Sequence, residues 1–258
     1  MRINPSENLT LTPNLKMEKG VSVVVFAVMM VMVIFLVFSV WYAGFAQSSI
    51  KKAEIEHMRK VEEQFRYLQS LVSGLRENGD SCTAEFQFSP LPPVGVLYTG
   101  RASTFWAEKE FENLPGLIGL EIGNQICPRV TYIYEGGAVL VKQGTNVFMK
   151  YEPKAFFFEN GSLVYQEVRL KDNLSKIVGS GRIALVFFVE NLIEENLADK
   201  IYIWSRYPSA WKKYLYKIRD SMFPNASLEP LDNKGWVLSL GTDSTYVHRI
   251  LSLSFLAC

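Results

Sequence analysis

One segment near the N-terminus constrains the fold of this chain more than any other feature. From Val21 to Ala46, 26 consecutive residues include no charged side chain. As an α-helix rising about 1.5 Å per residue, the run would extend roughly 39 Å, more than the ~30 Å hydrocarbon core of a bilayer. Trp41 and Tyr42 lie near its C-terminal end, where aromatic rings favour the membrane interface. The sequence therefore predicts a single transmembrane helix over residues 21–46, with the lipid bilayer as its partner.

A removable secretory signal is the main alternative for this segment, because such signals also lie near the N-terminus. Their apolar regions usually run about 7–15 residues and end in a small-x-small site. This run is much longer, so we expect it to stay attached as a single-pass anchor in the cell membrane.

Three glycosylation sequons favour a location outside the cytoplasm for the C-terminal part of the chain. They begin at Asn160, Asn173 and Asn225, and such sites are used only in exported proteins. Basic residues flank the apolar run on both sides, so the positive-inside rule does not decide the orientation. We therefore expect an extracytoplasmic C-terminal domain and a glycoprotein.

Beyond the membrane the helix is expected to continue as an amphipathic rod over residues 47–78, stopped by Asn78-Gly79-Asp80. Alternating spacings of three and four place six large apolar side chains on one helical face. This set, the packing seam, comprises Met58, Val61, Phe65, Leu68, Val72 and Leu75. The polar residues between them are expected to face away: Glu62, Glu63, Arg66 and Gln69. Either the chain's own β-rich domain or a second copy of the helix could cover the seam. Its length of about two and a half heptads is short for a coiled coil, which favours the β-rich domain.

Residues 79–258 are predicted to form an extracytoplasmic β-rich domain, because short apolar or alternating runs recur between turn residues. The expected strands are Cys82–Ser89, Val94–Thr99, Leu117–Ile122, Val130–Tyr134, Ala138–Lys142, Val147–Tyr151, Ala155–Phe158, Leu163–Leu170, Arg182–Val189, Ile201–Trp204, Trp236–Leu240 and Tyr246–Phe255. Ser209 is expected to cap one further amphipathic helix, which Pro224 ends. The predicted class is α+β, a long N-terminal transmembrane and amphipathic helix packed on an antiparallel β-rich domain with one further amphipathic helix.

Cys82 and Cys127 could form a disulfide in an oxidising compartment. The bridge would close a loop of about 45 residues and constrain the unfolded chain. Two unrelated buried thiols are the alternative. Cys258 has no obvious partner.

No catalytic, cofactor or metal motif stands out, so we expect a protein that is not an enzyme and uses no cofactor. His57 and His248 have no Cys or carboxylate at the spacing of metal ligands. Residues 47–258 carry equal numbers of acidic and basic side chains, which argues against nucleic acid as a partner. Three tryptophans could line a sugar-binding face, although core packing is their ordinary role: Trp204, Trp211 and Trp236.

Lys19-Gly20 directly precedes the apolar run, and this junction resembles the class III signal peptide of archaeal type IV pilins. The order of segments is similar too: a short leader, an apolar and then an amphipathic helical half, and a β-rich domain. The later pattern around Tyr134-Glu135-Gly136-Gly137 also looks like large, uncharacterised archaeal pilin-like proteins. The resemblance implies that a membrane peptidase removes residues 1–20 after Gly20 and that the apolar helix assembles with other pilin-like subunits.

The resemblance therefore implies a pilin-like protein of the archaeal cell surface with a structural or interaction role. Val25 stands at the fifth position after Gly20, where most pilins carry Glu, and this favours a minor or stand-alone subunit. The alternative is a signal-anchored extracytoplasmic binding or envelope-structural domain that is neither processed nor assembled.

Overall fold

The computed structural model describes residues 15–90, 102–232, 234–241 and 244–257, with side chains from residue 23 onward. The chain divides into two compact units with the boundary between Ser48 and Ser49. The second unit is called the head below. The expected strand Val94–Thr99 and the residue Cys258 lie outside the described residues.

The first element is one long helix, α1 (Leu15–Val72). It ends earlier than the predicted limit of residue 78. The cause is the turn that follows, in which the Asp80 carboxylate accepts hydrogen bonds from the backbone N–H groups of Arg76 (2.7 Å) and Glu77 (3.0 Å). An Asp side chain that bonds nearby backbone N–H groups offers the chain an alternative to further helical turns.

The head is α+β and β-rich, as predicted in outline. Its strands within the described residues are β1 (Ser81–Gln87), β2 (Ser103–Glu108), β3 (Leu117–Ile122), β4 (Val130–Glu135), β5 (Ala138–Gln143), β6 (Asn146–Tyr151), β7 (Phe156–Glu159), β8 (Ser162–Leu170), β9 (Leu174–Gly179), β10 (Arg182–Ala198), β11 (Lys200–Trp204), β12 (Ser227–Leu231), β13 (Gly235–Ser239) and β14 (Thr245–Ala257). The second helix, α2 (Pro208–Met222), lies between β11 and β12.

These strands form three sheets. The first has the order β1-β10-β14-β8-β7, the second β11-β13-β12, and the third β6-β5-β4-β3-β2-β9. The sheets are antiparallel as expected, with one exception among the described strands: β14 runs parallel to β8. Parallel neighbours need a long connection, and the chain between these two strands, which includes α2, supplies one.

The central strands of the six-stranded sheet contribute to two hydrophobic clusters, because successive side chains of a strand point to opposite faces. From β3 and β4, Ile118 and Tyr134 enter a hydrophobic cluster that also contains the α1 side chains, called the α1 core. Leu117 and Ile133, one position away, enter a second cluster that contains the α2 side chains, called the α2 core.

Two tight turns consist of glycine or asparagine followed by glycine. Gly136 and Gly137 join β4 to β5 with φ of 56° and 85°, and Asn160 and Gly161 join β7 to β8 with φ of 51° and 82°. Two consecutive residues of positive φ are typical of the hairpin turn that matches strand twist, and Gly or Asn adopts it at low cost.

The expected cap of α2 was wrong. The helix begins at Pro208, Tyr207 occupies the N-cap position without a side-chain hydrogen bond, and Ser209 lies inside the first turn. Proline suits the first helical position because its φ is already helical and its missing N–H has no intrahelical partner there.

Three strands were not predicted: β2, β9 and β12. Pro230 obscured β12, because proline cannot donate a ladder hydrogen bond. β12 tolerates Pro230 because it lies at the edge of its three-stranded sheet.

Candidate functional site

The apolar part of α1 is exposed along its described length. Large side chains from Val23 to Phe45 are exposed, and the most apolar 18-residue window has a mean hydropathy of 3.2. Near its end Phe38 stacks on Tyr42, with ring centroids 6.3 Å apart. Of the helices in the described residues, α1 is the one long and apolar enough to cross a membrane.

The proposed processing residues Lys19 and Gly20 lie in the first turns of α1. Their side chains are outside the described part of the chain, so cleavage after Gly20 stays a prediction.

The packing seam lies against the head's own β-strands. Val61, Phe65 and Leu68 have no exposed surface, and Phe65 contacts the Phe86 ring of β1 edge-on at 5.1 Å. Val72 and Leu75 are also buried, whereas Met58 is partly buried at the margin of the α1 core. The seam is thus covered from within one chain.

The buried face of α1 extends further toward the N-terminus than the seam. Ile50, Glu54 and His57 are 4%, 0% and 2% exposed. Their spacings of four and three lead directly to Val61, so they continue the same face with two polar side chains. The spacing could have revealed this extension, but the charged and polar residue types concealed it.

Glu54 binds the loop between β3 and β4. Its carboxylate accepts hydrogen bonds from three consecutive backbone N–H groups, those of Gln125, Ile126 and Cys127; the Ile126 and Cys127 nitrogens lie 3.2 and 2.7 Å from Oε2. A buried charge is tolerated when it is hydrogen-bonded in this way. The contact fastens a sheet loop to α1 across more than 70 residues of sequence.

Two further polar residues of α1 also bind the sheet, contrary to the expectation that they face away. Glu62 accepts a hydrogen bond of 2.6 Å from the Tyr151 hydroxyl. Gln69 donates through Nε2 to the carbonyl oxygen of Gly137 at 2.7 Å. The two side chains lie beside the buried face, where a polar group can reach carbonyl and hydroxyl partners at the sheet surface.

The predicted disulfide is contradicted, because Cys82 and Cys127 are both free thiols. Cys82 is the second residue of β1, the first strand after α1 has ended at Val72, whereas the backbone N–H of Cys127 donates to Glu54. Glu54 and Val72 are 18 residues apart on α1, about 27 Å along the helix axis, whereas bridged cysteines have Cα atoms within about 7 Å. Burial raises the pKa of both thiols.

The three sequon asparagines are all exposed. Asn160 lies at the β7–β8 turn and Asn225 in the connection between α2 and β12. Asn173 accepts a hydrogen bond of 2.6 Å from the Lys109 backbone N–H through Oδ1. Their exposure is compatible with modification, and their use stays a prediction.

Core packing accounts for two of the three tryptophans that were considered for a sugar-binding face. Trp211 and Trp236 are 3% and 8% exposed in the α2 core. Trp236 also donates a hydrogen bond of 2.8 Å from Nε1 to the Pro208 carbonyl oxygen. Trp204 is partly buried.

A different tryptophan, Trp106, forms the floor of an open groove on the six-stranded sheet. The groove, called the Trp106 groove, has a volume of about 450 Å³, within the usual range for small-ligand sites. The Trp106 ring lies directly on Gly119 of the neighbouring strand, where an added Cβ would come within 2.3 Å of ring atom Cζ2. The glycine thus allows the close approach of the ring to the sheet, and its absence of a side chain keeps the floor flat.

The β-ladder sets a row of polar side chains beside Trp106. Thr104 pairs with Glu121, Glu121 with Thr131, and Thr131 with Lys142. Residues paired across strands project to the same face, so hydroxyl, carboxylate and ammonium groups are placed side by side along one wall of the groove. Sequence reasoning missed this site because β2 was not recognised as a strand. In the structure the burial of its side chains alternates strictly along the strand.

The opposite wall contains Arg206 and Tyr207, and a buried carboxylate holds it in place. Glu135 accepts hydrogen bonds from the Arg206 backbone N–H (2.7 Å) and the Ser205 hydroxyl (2.8 Å), with the Trp211 Nε1 at 3.4 Å. Burial raises the pKa of Glu135, against the opposing effect of these donors. The same carboxylate therefore links the groove wall to the start of α2.

The groove has an excess of positive charge. Its cationic side chains are Lys142, Lys176 and Arg206, and its carboxylates are Glu108 and Glu121. Arg206 pairs with Glu108 at 2.5 Å, and Glu121 pairs with Arg129 at 3.2 Å. The two lysines form no ion pair with any described residue and are exposed.

A second polar cluster lies on the β8–β14 pair. Glu167 bonds His248 Nε2 at 3.0 Å and the Arg169 guanidinium at 2.9 and 3.0 Å. Burial alone would raise the pKa of Glu167, but these two partners hold it below its usual value. The groups satisfy one another, which is the arrangement of a structural ion network. No three His, Cys, Asp or Glu side chains in the described ranges are arranged to hold a metal.

Comparisons with known protein families, with curated proteins and with solved structures found no significant match to this chain.

Proposed function

We propose that the chain is a membrane-anchored, pilin-like surface protein, a minor or stand-alone subunit whose head acts outside the cytoplasm. One observation carries the proposal: the same helix, α1, is apolar and exposed before Ser48 and buried under β-strands along one face after it. Removing each large apolar side chain from water stabilises by roughly 1.5–3 kcal/mol. The exposed part therefore belongs in lipid or against other apolar helices, as the resemblance to pilins implies.

The location of the head outside the cytoplasm is supported by the three exposed sequon asparagines, Asn160, Asn173 and Asn225. An envelope-structural or binding domain that stays anchored and unassembled is the second candidate. It is favoured by the packing seam, which the head covers without a second subunit. The two candidates differ in whether residues 1–20 are removed.

The mass of the intact protein isolated from native membranes tests processing. We expect a mature chain that begins at Val21 and lacks residues 1–20. Gly20→Leu should retain the leader, because the peptidase of pilins requires a small residue before the cut. Gly44→Leu is the matched control, since a Cβ at Gly44 meets nothing within 4 Å, and it should be processed normally. A wild-type chain that keeps its leader would support the anchored, unassembled domain instead.

Protease added to intact cells tests orientation. The part of the chain after Gln47 should be degraded, and a cytoplasmic protein monitored in the same cells should remain intact. Complete protection of that part until the cells are opened would overturn the extracytoplasmic placement.

A further inference from the structure

We propose that the Trp106 groove binds an anionic sugar unit, a pyranose that carries one carboxylate or sulfate, from an extracellular polysaccharide. The site goes beyond the anchoring role proposed above. It rests on the proposed location of the head outside the cytoplasm, but not on removal of the leader. Four features carry the inference: the aromatic floor, the polar wall, the unpaired lysines and the volume.

The floor suits a sugar ring. A pyranose presents a face of C–H groups that packs on an aromatic ring, and the Trp106 ring occupies the space that a side chain at Gly119 would take. Trp106 is only partly buried, so one part of its surface contributes to the α2 core and the rest lines the groove. Supported, partly exposed aromatic rings give large contact area with little loss of side-chain entropy.

The polar wall suits hydroxyl groups. Sugar hydroxyls both donate and accept hydrogen bonds, and the groove offers both roles. Thr104 and Thr131 provide hydroxyls, and Glu121 provides carboxylate oxygens that act only as acceptors. Burial and the nearby Glu135 and Glu108 charges raise the pKa of Tyr207, so its phenol remains a donor at neutral pH.

The charges favour an anionic sugar over a neutral one and over a polyphosphate. Three cationic and two anionic side chains line the groove, a net positive charge that favours sugar units with one negative group each. Lys142 and Lys176 lie on β5 and β9, four strands apart in the sheet, or about 19 Å between their backbones at about 4.8 Å per strand. Their flexible side chains can therefore reach acid groups on different units of a short sugar segment, one from each end of the groove. The lining carboxylates would repel a ligand with several clustered negative charges.

The volume is also appropriate. A groove of about 450 Å³ accommodates a short segment of two or three sugar units rather than a folded partner. The open face of the sheet lets a longer chain enter and leave at the ends of that segment.

The test uses the full chain in lipid nanodiscs, which avoids detergents with sugar head groups. The probe is trigalacturonate, and its fully methyl-esterified form is a neutral control of the same shape. Isothermal titration calorimetry should detect trigalacturonate with a Kd below about 1 mM. Binding should weaken with added salt, because exposed charge pairs are screened. The methyl ester should bind about tenfold more weakly or not at all.

Two variants locate the binding. The double substitution Lys142→Gln with Lys176→Gln should weaken trigalacturonate binding about tenfold and abolish most of its salt dependence, while the melting temperature is unchanged because both side chains are exposed. The double substitution Lys212→Gln with Lys213→Gln, on the exposed side of α2, is the matched control and should bind normally. Trp106→Ala should lose binding by about tenfold or more, and circular dichroism will show whether its head is folded.

Three results would overturn the proposal: no binding of either trisaccharide, equal binding of the acid and its ester, or wild-type affinity in the Lys142 and Lys176 double variant. The Lys142 and Lys176 double variant tests the proposal even if Trp106→Ala fails to fold. Failure of this test leaves the mass and orientation experiments unaffected, so the two proposals can fail separately.

Discussion

At the scale of single residues, buried carboxylates hold loop segments of the head in place through hydrogen bonds. Glu54 and Glu135 are both fully buried, and each carboxylate accepts hydrogen bonds from a loop backbone. Glu54 binds the β3–β4 loop, and Glu135 binds the segment Ser205–Arg206. In both cases a side chain on a regular element fixes a connection that has no regular hydrogen bonds of its own.

Glu54→Ala should destabilise the head. It would remove the acceptor of the N–H groups of Gln125, Ile126 and Cys127, and a hydrogen bond to a charged group contributes roughly 1.5–3 kcal/mol. The control Glu56→Ala removes an exposed carboxylate whose pairing with Lys60 at 3.4 Å spans one helical turn, so it should change stability by less than about 0.5 kcal/mol. Urea unfolding followed by tryptophan fluorescence measures both. Equal losses in the two variants would show that the Glu54 contacts contribute nothing specific.

The head should also lose stability in mild acid because of His57. Burial lowers the pKa of His57 from 6.5 to about 4. The Phe88 backbone opposes this in part, and the nearby Lys60 charge adds a smaller lowering. Neither ring nitrogen has a hydrogen-bond partner among the described residues. The unfolded chain therefore binds the proton more readily than the folded chain, so stability falls as the pH is lowered from about 6.5 to about 4.

The urea midpoint of unfolding of the full chain, measured between pH 7 and pH 4, tests this prediction. His57→Gln, which does not titrate, should flatten this dependence, whereas His248→Gln serves as a comparison at the other histidine. An identical pH dependence in wild type and His57→Gln would contradict the assignment to His57.

At the scale of elements, α1 combines two environments in one helix. Its first part contains only uncharged side chains from Val21 to Ala46, and its later part alternates a buried face with charged positions. Helical periodicity determines which side chains of the later part meet the sheets, and the sheets supply the partners.

Phe65→Asp should destabilise the head by at least about 3 kcal/mol, the usual cost of removing a buried phenylalanine, with the burial of a charge added. Phe65 has no exposed surface and lies between the rings of Phe86 and Tyr132, at centroid distances of 5.1 and 5.9 Å. Tyr67→Asp is the control two residues away, because Tyr67 is 56% exposed. Thermal unfolding by circular dichroism should separate the two variants, and a head that melts unchanged in Phe65→Asp would show that the seam serves subunit assembly.

At the scale of the whole molecule, the packing seam contacts the head and leaves only the apolar segment for lipid or other helices. A fragment that begins at Ser49 contains the second compact unit. We expect it to be a soluble monomer, because its large helical apolar residues are buried by its own strands. Sedimentation velocity measures the state, and a stable dimer formed through α1 would contradict the intramolecular packing.

The long helix and many of the strands could be predicted from sequence because they depend on local pattern. An uncharged run longer than a bilayer is thick permits few folds other than a membrane helix. Strands such as β3 and β5 are apolar runs bounded by turn residues, and the Gly136-Gly137 turn requires residues that tolerate positive φ. The spacing of the seam residues likewise reflects one helical face.

Only the tertiary structure decided which residues come together in the Glu54 contact and in the Trp106 groove, because these residues are distant in sequence. Glu54 binds a loop more than 70 residues away in sequence. β14 lies parallel to β8, with α2 between them in sequence. Cys82 and Cys127 lie near different ends of the buried part of α1. The Trp106 groove joins side chains of β2, β3, β4, β5 and β9 with the start of α2. Periodicity in sequence reports the local environment of a residue, whereas strand order and register are set by the packing of the whole core. The amino-acid sequence by itself therefore determined the long apolar helix, and the tertiary structure alone brought the groove residues together.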